Sequence, residues 1–66
     1  MNKDIIKGKW NQLKGQAKAQ WSKLTDDELD EIAGEFEKMV GKLQEKYGFG
    51  RAKAEEEANK FFDKNN

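Results

Sequence analysis

The sequence predicts an all-α protein of four helices, at about 3–21, 26–33, 35–47 and 51–63, with no strands. Three observations carry this. Apolar residues recur at steps of three and four along most of the chain, which is the spacing of one helical face. No stretch alternates with the period of two that a half-buried strand needs, and no proline interrupts the pattern. A six-position motif also repeats. Gly8, Trp10, Leu13, Gly15, Ala17 and Trp21 return 26 residues later as Gly34, Phe36, Met39, Gly41, Leu43 and Tyr47, preserving the order Gly, aromatic, apolar, Gly, apolar, aromatic.

The first helix is expected from about Lys3 to Gln20 or Trp21, with Asn2 as its N-cap and Asp4 in its first turn, where the helix dipole favours negative charge. Its inner face is Ile6, Trp10, Leu13, Ala17 and Trp21, continued by Leu24. Thr25-Asp26-Asp27-Glu28 then reads as a capping box, in which the Thr25 hydroxyl and the Glu28 carboxylate satisfy reciprocal backbone donors. From there Leu29, Ile32, Ala33, Phe36, Met39, Val40, Leu43 and Tyr47 keep one stripe in phase. Periodicity alone would draw one long helix. The glycine at position 34 favours instead a short helix at 26–33, a bend, and a third helix at 35–47. Tyr47-Gly48-Phe49-Gly50 is a stop signal, with Gly48 suited to the left-handed conformation and Phe49 folding back toward Leu43. The last helix buries Ala54, Ala58 and Phe61, flanked by Phe62, and carries the i,i+4 pairs Lys53–Glu57 and Glu56–Lys60. Residues 64–66 are expected to fray.

At 100° per residue, Gly8 and Gly15 fall opposite Trp10, Leu13 and Trp21, and Gly34 and Gly41 opposite Phe36, Met39 and Leu43. Each glycine inside a helix costs about 1 kcal/mol relative to alanine. Three readings account for them: tolerated surface or bend positions; a flat strip of Gly8, Gln12, Gly15 and Ala19 where another backbone comes close, within the fold or across a dimer; or a chain kept marginally stable so that it orders on binding or under water stress.

The composition removes several function classes. Sixty-six residues make at most one domain, here 1–66, near the lower limit for folding without a staple. The absence of cysteine and histidine rules out a disulfide scaffold, the usual zinc sites and any Cys or His nucleophile or base. No apolar run approaches the ~20 residues of a membrane span, and the start lacks the apolar core of a signal peptide, so the expected location is the cytoplasm. Thirteen basic and thirteen acidic residues cancel, but in blocks. Residues 1–24 hold six lysines against Asp4, whereas 25–45 hold eight carboxylates against Lys38 and Lys42. Such blocks attract each other within a fold, attract a second copy, or leave a basic face for a polyanion.

No constellation points to catalysis, a cofactor or a metal. Asp26-Asp27-Glu28-Leu29-Asp30-Glu31 lacks the ligand spacing and central glycine of a calcium loop and suits a helix start. Its carboxylates lie on an exposed helix start without an apolar pocket to perturb them. Ser22 and Thr25 have no histidine to activate them, and Gly48-Phe49-Gly50-Arg51 lacks the lysine and hydroxyl of a P-loop. Lysines interleaved with Trp10 and Trp21 supply ingredients of nucleic-acid binding, but the tryptophans share the core stripe with Leu13 and Leu24, and zero net charge weakens a phosphate-neutralising role.

Lys-Gly-Lys-Trp-Asn-Gln-Leu-Lys-Gly-Gln-Ala-Lys at 7–18, Trp21, Leu24-Thr25-Asp26-Asp27-Glu28-Leu29, Ile32-Ala33-Gly34, Val40 to Gly48 and Ala54-Glu55 together resemble the CsbD-like family of small bacterial general stress-response proteins, from about Asn2 to Phe62. The resemblance implies a cytoplasmic, compact fold in which two helical hairpins pack across each other. It brings no catalytic residue or cofactor. The function expected is therefore non-enzymatic, by binding or protective solvation during stress. The alternative is a module that binds a protein partner or a second copy of itself through the strip Gly8, Gln12, Gly15 and Ala19 or through its charged faces. Nucleic-acid binding ranks third.

Overall fold

A computed structural model describes residues 3–66, and these form five α-helices and no strand: α1 Lys3–Gly8, α2 Trp10–Gln20, α3 Asp26–Ile32, α4 Phe36–Tyr47 and α5 Arg51–Asn65. The Asn2 cap lies outside the described residues. The all-helical expectation holds, but the first helix is two helices. At Lys9 the backbone turns to φ −103°, ψ 6°, and its N–H is shared between the Ile5 and Ile6 carbonyls at 3.1 and 3.2 Å. Gly8 supplies the local softness for this kink. The kink coincides with a tight contact of α1 against the backbone at Gly34.

The 26-residue repeat is visible in the fold. The second helix begins at Trp10 and the fourth at Phe36, the equivalent position. Gly15 and Gly41 both face outward with open space where a Cβ would stand, and Ala17 and Leu43 are both fully buried. The equivalence fails at the first glycine. Gly8 is exposed, whereas Gly34 is buried at φ +75°, where a Cβ would lie 2.9 Å from the Lys7 Cα and 3.0 Å from the Ile6 carbonyl oxygen. Close backbone approach therefore occurs at Gly34 and not on the opposite side of the helix from the Phe36 stripe.

Both sequence-predicted caps around the middle helices are present. Thr25 and Glu28 form the capping box of α3, with Glu28 N–H donating to the Thr25 hydroxyl at 3.2 Å and Thr25 N–H to the Glu28 carboxylate at 3.0 Å. The helix stops at Ala33, which takes the left-handed conformation (φ 52°, ψ 28°) and is exposed, not part of the inner stripe as its spacing suggests. The reason is geometric, since the bend that brings Gly34 against α1 also rotates position 33 outward. Left-handed backbone costs a residue with a Cβ about 1–2 kcal/mol. Ala33→Gly is accordingly expected to stabilise the fold by about 0.5–1 kcal/mol after allowing for the freer unfolded chain. A melting temperature higher by a few degrees in a circular dichroism scan checks it.

Gly48 closes α4 in the left-handed region as expected (φ 69°, ψ 21°), and Phe49 packs against the core while stacking on Tyr47 at 5.4 Å. The last helix runs through Lys64 and Asn65 instead of fraying at 64, and the Asn65 amide donates to the Phe61 carbonyl at 2.9 Å.

One core joins all five helices: Ile6 from α1; Trp10, Leu13 and Ala17 from α2; Leu29 and Ile32 from α3; Phe36, Met39, Val40 and Leu43 from α4; Ala54, Ala58, Phe61 and Phe62 from α5; with Trp21 and Leu24 between α2 and α3. The helix α5 is buried on two sides. Phe61 meets Trp10 and Trp21 at 6.4 and 5.3 Å, while the adjacent Phe62 meets Phe36 edge-on at 5.4 Å. Phe62 is thus central, not flanking. The Trp10 indole N–H donates to the Leu29 carbonyl at 2.7 Å, tying α2 to α3.

Candidate interaction surface

The strip Gly8, Gln12, Gly15 and Ala19 is exposed at all four positions. No neighbouring backbone approaches it, because a Cβ added at Gly8 or Gly15 would meet nothing within 4 Å. Within the fold, then, these glycines are not close-packing positions. Asn11 and Gln16 beside them are exposed as well, so the strip's own side chains are uncharged, while Gly15 shares a shallow pocket with Lys14, Lys18 and Asp26. If the face is bare in solution, Gly8→Ala and Gly15→Ala should each stabilise by up to about 1 kcal/mol, raising the melting temperature by several degrees. A fall in either variant at high protein concentration, absent on dilution, would show that a second molecule covers the strip.

Lys14 and Lys18, which flank this face, are paired inside the molecule. From α2, Lys14 reaches Asp30 at 2.7 Å and Lys18 reaches Asp26 at 2.8 Å. From α4, Lys42 reaches Glu31 at 2.9 Å, with Glu45 at 3.7 Å, and Lys46 reaches Glu28 at 3.2 Å. The acidic α3 therefore lies between two pairs of lysines. Attraction within the fold, one of the three outcomes that the charge blocks allow, is present. Elsewhere Arg51 bridges Glu37 and Glu55, at 2.7 and 3.0 Å, and the expected Lys53–Glu57 and Glu56–Lys60 pairs stand at 3.7 and 3.5 Å.

These contacts set the titration behaviour. Lys18 holds the Asp26 carboxyl below its ordinary value through a hydrogen bond. Glu28 is lowered first by the Thr25 backbone N–H, with Lys46 assisting against the opposing effect of desolvation. Lys38 lowers Glu35, Glu31 raises Lys42, and Glu37 followed by Glu55 raises Arg51. A lowered carboxyl contributes stability that is present above its free value and lost as the pH falls through the folded value. Raised Lys42 and Arg51 act in the opposite sense, contributing below their free values and losing that contribution only in strong alkali.

An open groove of about 540 Å³ runs between α3 and α4, lined by Glu31, Ile32, Lys38, Gly41, Lys42 and Glu45. Its lysines are already bound to carboxylates, Lys38 to Glu35 and Lys42 to Glu31. Among the described residues, no three acidic side chains converge as they would to hold a metal ion. No helix among them is long and apolar enough to cross a membrane. Trp10 and Trp21 are both in the core, as their spacing predicts, so neither is offered for stacking on a base.

The pairing across α3 is the feature that sequence spacing did not reveal. Its partners stand 8 to 16 residues apart on α2 and α3, beyond the i,i+4 rule. The block reversal from lysine to carboxylate near residue 25 was the readable signal.

A small all-helical protein, with its core inside and opposite charges paired across its surface, is the class that fold and surface define. The chain belongs to the CsbD-like family, whose model matches residues 4–60. It is 51% identical over 65 residues to a UPF0337 protein of Bordetella pertussis, covering 98% of each chain. It is 52% identical over 64 residues to one of Pseudomonas aeruginosa, covering 97% of this chain and 98% of that one. With the UPF0337 protein YjbJ of Salmonella typhimurium the identity is 47% over 66 residues, covering 100% and 94%. No solved structure matches. The general stress-response setting belongs to the family as a whole; the relatives' names carry no activity.

Proposed function

We propose that the protein is a non-enzymatic, cytoplasmic stress-response protein that acts by binding or by protective solvation, the 66 residues forming a single CsbD-like domain. The two-hairpin arrangement implied by the family, with α1–α2 and α3 crossing α4 and α5, belongs to the same proposal. The observation that carries it is the character of the surface. Mean hydropathy is −1.16, and no polar or charged residue among the described ones is buried, so the 26 charged side chains form a hydrated shell around a thin apolar core. Such a shell keeps a small protein soluble at high concentration and offers water-replacing groups of both signs to a neighbour. The test is protection of a labile enzyme through drying or freezing. Protection beyond that given by an equal mass of an unrelated small protein supports the proposal, and parity with it counts against.

The second reading is an interaction module or homodimer that uses Gly8, Gln12, Gly15 and Ala19. The exposure of these four uncharged positions favours it, because a strip with two flat positions admits a partner helix at short range. Sedimentation at two salt concentrations, repeated with Gly15→Leu to obstruct the strip, tests it. Association that survives in Gly15→Leu excludes this face. Nucleic-acid binding is the weakest reading, since Lys14 and Lys18 are engaged by Asp30 and Asp26; no shift with DNA or RNA at low salt dismisses it.

A further inference from the structure

α3 differs from the other helices in what holds it. Five of its seven residues, Asp26, Asp27, Glu28, Asp30 and Glu31, are carboxylates. The ion pairs that restrain its polar side depend on their charge, with Lys14 and Lys18 from α2 and Lys42 and Lys46 from α4, and the Glu28 carboxylate also accepts the Thr25 N–H in the capping box. Glu45 of α4 shares Lys42 with Glu31 and is the one further carboxylate facing this network. Glu28 is the hub, because it caps the helix and receives Lys46 and, at 3.9 Å, Lys42, with its side chain only 15% exposed. On the apolar side α3 contributes just Leu29 and Ile32. The aromatic centre of the core, Phe61 and Phe62 with Trp21 and Phe36, is built without it. α3 is short and bounded by the αL residue Ala33 on one side and by the 22–25 turn on the other.

We propose that α3 is an acid-released latch: as its carboxylates take up protons, the lysine pairs on both flanks fail together and the capping box weakens, and α3 leaves α2 and α4 while the Phe61–Phe62 centre is still packed. Protonation removes the attraction on both flanks and replaces the charged Glu28 acceptor with a weaker neutral one, so the loss is concentrated on one seven-residue element. Release uncovers Trp10 and leaves Lys14, Lys18, Lys42 and Lys46 without counter-charges around the vacated apolar face. The sign follows from the lowered carboxyls, with closure favoured above the ordinary carboxyl values of 3.8 and 4.5 and opening as the pH falls below them. Salt at neutral pH acts in the same direction but more weakly, because screening leaves the cap intact.

The two tryptophans allow the test in the unmodified chain. The Trp10 indole N–H donates to the Leu29 carbonyl and reports on α3, whereas Trp21, 2% exposed, packs on Phe61 and reports on the aromatic centre. In an NMR titration from neutral to strongly acid pH, the Trp10 indole and the amides of residues 28–32 are expected to lose dispersion and exchange protection first. Trp21 and the amides of Phe61 and Phe62 should follow about half a pH unit or more lower. Glu28→Gln retains a capping side chain but not the charge. It should raise α3 amide exchange several-fold at neutral pH and leave Phe61 and Phe62 protected. A single coincident transition for both sets of signals overturns the latch, as does α3 outlasting the aromatic centre. Unchanged α3 protection in Glu28→Gln overturns its electrostatic basis.

Discussion

Alanine at position 34 is expected to destabilise the protein by about 2–4 kcal/mol, roughly 1–2 from forcing a Cβ into left-handed backbone and the rest from the contact it makes. The added methyl would stand 2.9 Å from the Lys7 Cα and 3.0 Å from the Ile6 carbonyl oxygen, and both are backbone atoms that cannot swing aside as a side chain tip can. Relief requires α1 to move away from the α3–α4 bend, which lifts the fully buried Ile6 out of the core. Against the small total stability of a chain this short, the loss should lower the melting temperature by about 10–20 °C in a circular dichroism scan. Gly41→Ala is the matched control. It makes the same chemical change inside α4, where nothing lies within 4 Å, and should stabilise by up to about 1 kcal/mol. Opposite signs at two glycines of one repeat would locate the close approach at the bend. A Gly34→Ala protein as stable as the parent would mean that α1 is not held there.

The two glycines also show where reading the sequence ends. Helical phase placed the core well: every stripe residue of the first helix, from Ile6 to Leu24, is buried, and so are Leu29, Ile32, Phe36, Met39, Val40 and Leu43. Local chemistry placed the Thr25 cap and the Gly48 stop, because each depends on neighbours within a few residues. Gly34 was legible as a bend, but not as the seat of α1, since that contact joins residues 27 positions apart and depends on how α1 leans. The kink at Lys9 has the same origin. It lies in an unbroken apolar phase and accompanies a tertiary contact that no periodicity encodes. The candidate strip was legible as a small-residue face, and its exposure agrees with the phase; what it meets is a property of another molecule.

Truncating Phe61 to alanine is expected to be the most damaging single change, at about 3–5 kcal/mol. The residue is 1% exposed and its ring is shared by Trp10, Trp21 and Phe62, with the Phe61–Trp21 centroids 5.3 Å apart. Transfer of a phenyl ring to water and the cavity left behind account for most of the loss. Each favourable aromatic pair adds about 0.5–1.5 kcal/mol beyond its buried area. The position matters more than the ring alone, because Phe61 and Phe62 are consecutive and both buried. A helix that buries two neighbouring residues must be covered on two sides, so α5 is the element that α2 and α4 share. Without the Phe61 ring, α2 loses its main hold on α5, and the indole N–H of Trp21, which has no acceptor among the described residues, sits beside a cavity that can admit water. Phe61→Ala should therefore abolish the cooperative thermal transition and move tryptophan emission to the red at room temperature. Phe61→Leu, which refills most of the volume, should keep a cooperative transition at a lower midpoint. If Phe62→Ala, which faces Phe36 on the other side, proved severe while Phe61→Ala was mild, the hub would lie between α4 and α5 alone, and α2 would be held by α3 and α1 instead.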